Sequence, residues 1–144
     1  MKTSVLTLAA ALLAPATHAQ EIAAAKVPAA AAAAFKQHFP AAKAVTWEKE
    51  GADYEAGFAQ GKAKMSAVIT AAGVLKETET AMAVAQLPAP VQKALASQYK
   101  TAKIMEAAKI VTAATGATSY EAEIDQNGRQ RDVLFRSDGT IVRK

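Results

Sequence analysis

Apolar and polar residues alternate with a period of two along much of the chain between residues 45 and 80. The alternation starts at Val45 and Trp47, which are separated from each other by Thr46 and followed by Glu48. It continues in two runs, Tyr54–Phe58 and Ala63–Ile69, and a last strand that ends in the polar residues Glu77–Thr80 is expected after Gly73. This period is typical of strands with one buried face. We therefore expect an antiparallel meander of four strands.

An amphipathic helix is predicted immediately before this meander. Pro28 suits the start of a helix, where its missing N–H is not needed, and the six alanines Ala29–Ala34 have the highest helix propensity. Phe35 and Phe39 follow at the spacing of one helix face. Pro40 then ends the helix.

The same pattern occurs a second time. Val27-Pro28 recurs as Leu87-Pro88, sixty positions later, and Tyr54-Glu55-Ala56 recurs as Tyr120-Glu121-Ala122. In the second copy, Asn127-Gly128 is the dipeptide that two-residue hairpin turns prefer. The sequence predicts an α+β fold of two helix-plus-four-stranded antiparallel meander repeats, residues 20–80 and 81–144, which form one unit.

Residues 1–19 have the three parts of a secretory signal peptide. Lys2 supplies the positive start, Val5–Ala14 is apolar, and Thr17-His18-Ala19 places small residues at the cleavage site. The apolar run is shorter than the ~20 residues of a membrane-spanning helix. We expect cleavage after Ala19 and a periplasmic or secreted protein with no integral membrane segment.

Composition narrows the possible chemistry. The 144 residues include no cysteine, so disulfides and thiolate metal sites are excluded. Without Lys2 the formal net charge falls from +4 to +3, which is too small to indicate nucleic-acid binding. We expect no nucleic-acid partner, no cofactor and no metal.

At these motifs the sequence resembles a known family. The segments that carry the resemblance are Val-Pro before the helix, Phe39–Lys43, Val45–Glu48, Tyr54–Phe58 and the closing Val133–Gly139. They resemble the PepSY-like family of secreted bacterial proteins, which is also described as similar to β-lactamase inhibitory protein. The resemblance implies two repeats on a curved antiparallel sheet. It also implies a binding or inhibitory role, and no catalytic residues.

Individual residues give few indications of catalysis. His38 is the one histidine after the signal segment, so a His-based triad or metal cluster is not expected. Asp125–Arg129 is interpreted as a hairpin turn rather than a calcium loop, because the later ligands are missing. Glu121 and Glu123 share a strand face, as an acid/base pair would, but a solvated face is the simpler interpretation. Trp47 is expected in the core, although a role as a partner anchor is the alternative.

The arginines suggest one candidate binding surface. All four lie in the last sixteen positions, and guanidinium groups bind carboxylates and phosphates through two parallel hydrogen bonds. We identify Arg129, Arg131 and Arg143 as candidate partner-binding residues on the second copy. The alternative is a solvated face in which Asp125, Asp132 and Asp138 neutralise them.

Two functional classes remain. The first is a secreted, non-catalytic binding module for an unidentified protein, with inhibition of an envelope or extracellular enzyme as a specific form. The second is a periplasmic carrier or sensor of a small ligand or metal, which would bind in a cleft between the halves. An enzyme is not expected.

Overall fold

In the computed structural model, residues 20–142 are described. They form an α+β fold in which two helices lie on one nine-stranded antiparallel sheet. The strands are β1 (Gln20–Ile22), β2 (Lys43–Glu50), β3 (Asp53–Gln60), β4 (Ala63–Thr70), β5 (Leu75–Met82), β6 (Lys103–Thr112), β7 (Thr118–Gln126), β8 (Arg129–Arg136) and β9 (Ile141–Val142). The helices are α1 (Ala29–His38) and α2 (Ala89–Gln98), and each follows one turn of 3₁₀-helix. The predicted signal segment and Arg143 lie outside the described residues.

The strands are ordered along the sheet as they are along the chain, from β1 to β9. The expected division into two meanders of four strands is not confirmed. A strand that the sequence does not predict, β1, precedes α1 and pairs with β2 through Ile22 and Trp47. It was missed because three residues are too few to show a period.

Strand β5 joins the two copies into one sheet. It pairs with β4 on one side and with β6 on the other, and Thr78 lies opposite both Ala67 and Val111. It also leads directly into the 3₁₀ turn before α2, as β1 leads into the turn before α1. The strand therefore closes the first copy and opens the second.

Each helix covers a separate hydrophobic core on the same side of the sheet. In the first core, the ring of Phe35 lies 5.1–5.4 Å from the rings of Phe39, Trp47 and Phe58. In the second core, Val91 and Leu95 pack with Ile124 and Phe135. Phe35 and Phe39, which the sequence placed on one helix face, pack on the sheet, and Trp47 is buried as expected. Leu95 and Tyr99 pack in the same way in the second core.

Two glycines let the sheet approach the helices closely. Gly73 has a φ of +86°, and a Cβ built on it would lie 2.7 Å from the carbonyl oxygen of Ala30 in α1. Gly139 has a φ of +84°, and its Cβ would lie 2.5 Å from the carbonyl oxygen of Pro90 in α2. Both positions need glycine for two reasons, the left-handed φ and the lack of space. Gly73 and Gly139 therefore occupy equivalent positions in the two copies.

Candidate functional site

The predicted arginine site lies at the tip of the β7–β8 hairpin. Asn127 and Gly128 both have positive φ, and the N–H of Gly128 donates to Asp125 Oδ1 at 2.8 Å. The segment Asp125–Arg129 is therefore a hairpin turn, as predicted. Arg129 and Arg131 follow at the start of β8, and both are exposed.

These two arginines point to the side of the sheet that carries the helices. Arg131 pairs with Ile124, a core residue of that side. Its guanidinium carbon lies 5.4 Å above the centre of the Tyr99 ring, and its Nη2 donates to Gln126 Oε1 at 3.3 Å. Within residues 20–142, neither Arg129 nor Arg131 has a carboxylate oxygen within 4 Å. Asp125 and Asp132 occupy the opposite face, so they do not neutralise this patch.

The side of the sheet away from the helices is a second candidate surface, which we call the open face. Its residues follow from the pleat, because side chains alternate between the faces of a strand. Trp47, Ala56 and Ala67 lie opposite one another and face α1, so their neighbours along each strand face away. No helix in the described part of the chain covers this face.

Acidic residues are concentrated on the open face. By the alternation, twelve of the 13 acidic residues of the chain belong to it, and the remaining one, Asp138, lies in a turn. The twelve are Glu21, Glu48, Glu50, Asp53, Glu55, Glu77, Glu79, Glu106, Glu121, Glu123, Asp125 and Asp132.

The basic residues of this face are fewer and lie near strand ends. They are Lys43, Lys64, Lys76, Lys103 and Arg136. Lys76 donates to Asp53 Oδ2 at 2.7 Å, and this hydrogen bond raises the pKa of Lys76. The other nine basic residues of the described chain lie on the helix-bearing side or in turns. The two sides of the sheet therefore carry opposite charge.

Glu79 lies near the middle of the open face, between Ser66 of β4 and Ile110 of β6. Burial raises its pKa from 4.5 to about 7, and the nearby carboxylates of Glu55, Asp132, Glu77 and Glu50 add to the shift. These carboxylates belong to both copies. The two halves of the sheet thus produce one continuous negative field.

The middle of the face also has an apolar strip. Ala108 and Ile110 of β6 are 6% and 5% exposed although they point away from both helices. Beside them, a cleft of about 50 Å³ at the junction of the two copies is lined by Glu79, Ala81, Glu106, Ala108, Glu121 and Glu123. Glu121 and Glu123 thus share one face, as predicted from their spacing.

Larger grooves lie within each copy instead of between the copies. One groove of about 580 Å³ runs along α1 and is lined largely by apolar groups, including Phe39, Val45 and Trp47.

His38 is exposed at the end of α1. In residues 20–142, no three His, Asp or Glu side chains are grouped so that they could hold a metal ion. No helix in this range is long and apolar enough to cross a membrane.

Two family-model matches cover most of the sequence. Residues 15–77 and 69–143 each match the family described as "Putative beta-lactamase-inhibitor-like, PepSY-like". The chain belongs to the PepSY-like family. The two matches correspond to the two copies and overlap at residues 69–77, which include the start of β5. The resemblance noted in the sequence is therefore confirmed.

Solved structures of proteins from several Bacteroides species have a fold similar to that of this PepSY-like chain. A "putative periplasmic" protein of B. eggerthii has a TM-score of 0.71 at 18% identity, covering 81% of this chain and 86% of that one. A DUF2874 family protein of B. uniformis has a TM-score of 0.69 at 20% identity, with the same coverage. A BLIP-like protein of B. fragilis has a TM-score of 0.63 at 23% identity, covering 79% and 82%. These likenesses show the fold, and no curated protein matches the sequence.

Proposed function

We propose that this PepSY-like protein is a non-catalytic binding module that acts in the periplasm or outside the cell. The observation that carries the proposal is the open face, which extends over both copies and is not covered by either helix. An antiparallel sheet needs only one face for its core, so the other is available for a partner. The family description and the periplasmic description of one structural neighbour support the proposal. The specific binding function that we propose is inhibition of an envelope or extracellular enzyme.

Affinity capture tests the binding role. Residues 20–144 are immobilised and exposed to the extracytoplasmic fraction of the native host, with a heat-unfolded sample of the same protein as control. A protein that is retained by the folded sample alone, and that binds at a fixed stoichiometry when purified, is the expected result. Failure to isolate any such protein would contradict the proposal.

We also propose that residues 1–19 are removed after Ala19 when the protein is exported. The mature chain is then divided into two repeats, residues 20–80 and 81–144. Intact-mass analysis of protein exported by the native host should give the mass of residues 20–144. A mass that retains the first nineteen residues would refute cleavage.

For the arginine patch, we propose contact with an acidic group of the partner. Arg129 and Arg131 are exposed, and the face of Tyr99 holds the guanidinium of Arg131 in place; Arg143 is included from the sequence. Arg129→Glu with Arg131→Glu should weaken binding of the captured partner and reduce its salt dependence. The control is Lys36→Glu with Lys93→Glu, which changes net charge equally at exposed positions on the helices. Equal loss in both variants would leave no special role for the patch.

A carrier or sensor of a small ligand or metal is the second candidate, favoured by the groove along α1. Its lining is mostly apolar and includes one charged group, Lys36, whereas a specific ligand site has several convergent polar groups. Metal analysis of protein purified without chelator should find no stoichiometric transition metal. One equivalent of zinc or copper would favour the carrier function instead.

A further inference from the structure

We propose that the open face is the docking surface for a cationic surface of another protein. The proposal rests on the binding role proposed above and names the chemistry of the partner. The arginine patch lies on the other side of the sheet and is a separate surface. Three properties of the open face carry the inference: its charge, its size and the arrangement of its apolar strip.

The charge is organised in rows that cross the strands. In the first copy, Glu48 lies directly opposite both Glu21 of β1 and Glu55 of β3. In the second copy, Glu123 lies directly opposite both Glu106 of β6 and Asp132 of β8. Directly opposed like charges destabilise a sheet. Each row therefore costs folding energy in the free protein, and a cationic partner would remove that cost on binding.

The negative field is also strong where the face is partly shielded from water. The carboxyl group of Glu79 responds to acidic groups on β2, β3 and β8 as well as on its own strand. Because little water screens these charges, a lysine or arginine of the partner would be attracted strongly by several carboxylates at once. An acidic partner surface would instead add to the repulsion.

The size of the face suits a protein rather than a small ion. The seven strands β2–β8 have eight to ten residues each. At the usual strand spacing and rise they make a face of roughly 30 by 25 Å. That area, about 750 Å², is close to the ~800 Å² that one partner buries in an interface of standard size.

The apolar strip lies inside the acidic area. Ala81, Ala108 and Leu134 lie along one row of paired residues that also contains Glu121, and Ile110 is next to Ala108 on the same face. The Glu106–Glu123–Asp132 row runs beside this strip. Protein interfaces commonly have an apolar centre and a polar rim. We therefore expect a partner with a small apolar patch surrounded by lysine or arginine.

Charge-matched variants test this assignment. The face variant combines Glu48→Gln, Glu106→Gln and Glu123→Gln. The control variant combines Ala33→Lys, Gln37→Lys and Gln98→Lys at exposed positions of the helices, so that both variants gain the same net charge. The probe is a fluorescein-labelled twelve-residue peptide of alternating lysine and alanine, and a glutamate–alanine peptide serves as the negative probe. Binding is measured by fluorescence anisotropy at low and physiological salt.

The lysine peptide should bind the wild-type protein, and the face variant should bind it at least about tenfold more weakly. The control variant should stay within about twofold of the wild type. Arg129→Glu with Arg131→Glu should not weaken binding, because those residues point to the other side. The peptide should shift amide NMR signals of β3, β5, β6 and β7. Equal weakening in the face and control variants, or shifts confined to the helices or the β7–β8 turn, would overturn the proposal.

Two other occupants have their own signatures, and either would overturn the proposal. Sedimentation of wild-type protein as a larger species at low salt, lost in the face variant, would identify a second copy of the chain. Stoichiometric displacement of the peptide by millimolar Mg²⁺ or Ca²⁺ would identify a small-cation site.

Circular dichroism melting of the face variant checks its fold. We expect its melting temperature to equal or exceed that of the wild type, because repulsion between the carboxylates is removed.

The binding role and the face assignment fail in different ways. If the captured host protein binds the wild type and the face variant equally, the binding role stands and the open face is not its surface. If neither the host protein nor the lysine peptide binds the wild type, both proposals fail. Weaker binding of the host protein by the face variant, with the control variant unaffected, supports both.

Discussion

Glu79 remains protonated at a pH at which an ordinary glutamate is ionised, because burial and four neighbouring carboxylates raise its pKa to about 7. In the unfolded chain its pKa returns to about 4.5. The folded protein therefore binds more protons than the unfolded chain between these two values, and stability falls as the pH rises through this window.

Glu79→Gln should remove this dependence. The variant should gain stability relative to the wild type as the pH is raised from 4.5 to 8, and the gain should stop increasing above the folded pKa. Urea unfolding at pH 4.5, 6 and 8 measures it. A flat difference between Glu79→Gln and the wild type would refute the raised pKa of Glu79.

Asp138 provides the opposite case, because the N–H of Thr140 lowers its pKa. Asp138→Ala should lose stability at neutral pH, and this loss should shrink in acid.

The two tight glycines make a second prediction about single residues. Gly73→Ala and Gly139→Ala should each destabilise the protein more than Gly61→Ala. All three glycines have positive φ, but a Cβ on Gly61 meets no atom within 4 Å. We expect about 1 kcal/mol for Gly61→Ala from backbone strain, and an additional ~1–3 kcal/mol at the other two from overpacking. Similar losses at all three positions would show that the helices move aside without cost.

Among the secondary-structure elements, α1 depends on one aromatic cluster. Phe35 is 4% exposed and contacts three other rings, whereas Phe39 is only partly buried. Phe35→Ala should cost ~3–5 kcal/mol, and Phe39→Ala should cost less. Denaturant unfolding measures both, and a loss under about 1 kcal/mol for Phe35→Ala, which is the scale of surface changes, would contradict the packing.

The helices and long strands were predictable because each has its own period. Phe35 and Leu95 occupy helical spacing, Trp47 and Ile124 occupy alternating positions, and Asn127-Gly128 specifies its turn. Strand β1 was not predictable, since its three residues become a strand only by pairing with β2. The double pairing of β5 was also not predictable, because its largely polar sequence does not indicate which strands it pairs with.

The candidate surfaces were predictable to different degrees. Arg129 and Arg131 were found because they are close in sequence, and the face they occupy follows from Ile124 opposite Arg131. The acidic face was missed because its members are spread from Glu21 to Asp132 and only the sheet register brings them together. A signal was present in the sequence: acidic residues occupy every second position at Glu77 and Glu79 and again at Glu121 and Glu123.

At the scale of the whole molecule, charge and folding are linked through the continuous sheet. The acids of both copies act on the same face, so salt should stabilise the free protein by screening their repulsion. Thermal melting between 10 and 300 mM NaCl at pH 8 should show a rising melting temperature. The face variant with Glu48→Gln, Glu106→Gln and Glu123→Gln should show a smaller rise, and an equal rise in both would indicate that the repulsion lies elsewhere.

The shared strand also determines how a fold of this kind can grow. Because β5 ends one copy and begins the next, a duplicated segment needs no linker and no new interface, and the existing ladder accepts the added strands. Strand β9 occupies the same place after β8 that β5 occupies after β4. A further tandem duplication in the gene would therefore extend the sheet from β9, and the two existing cores would not have to be rebuilt.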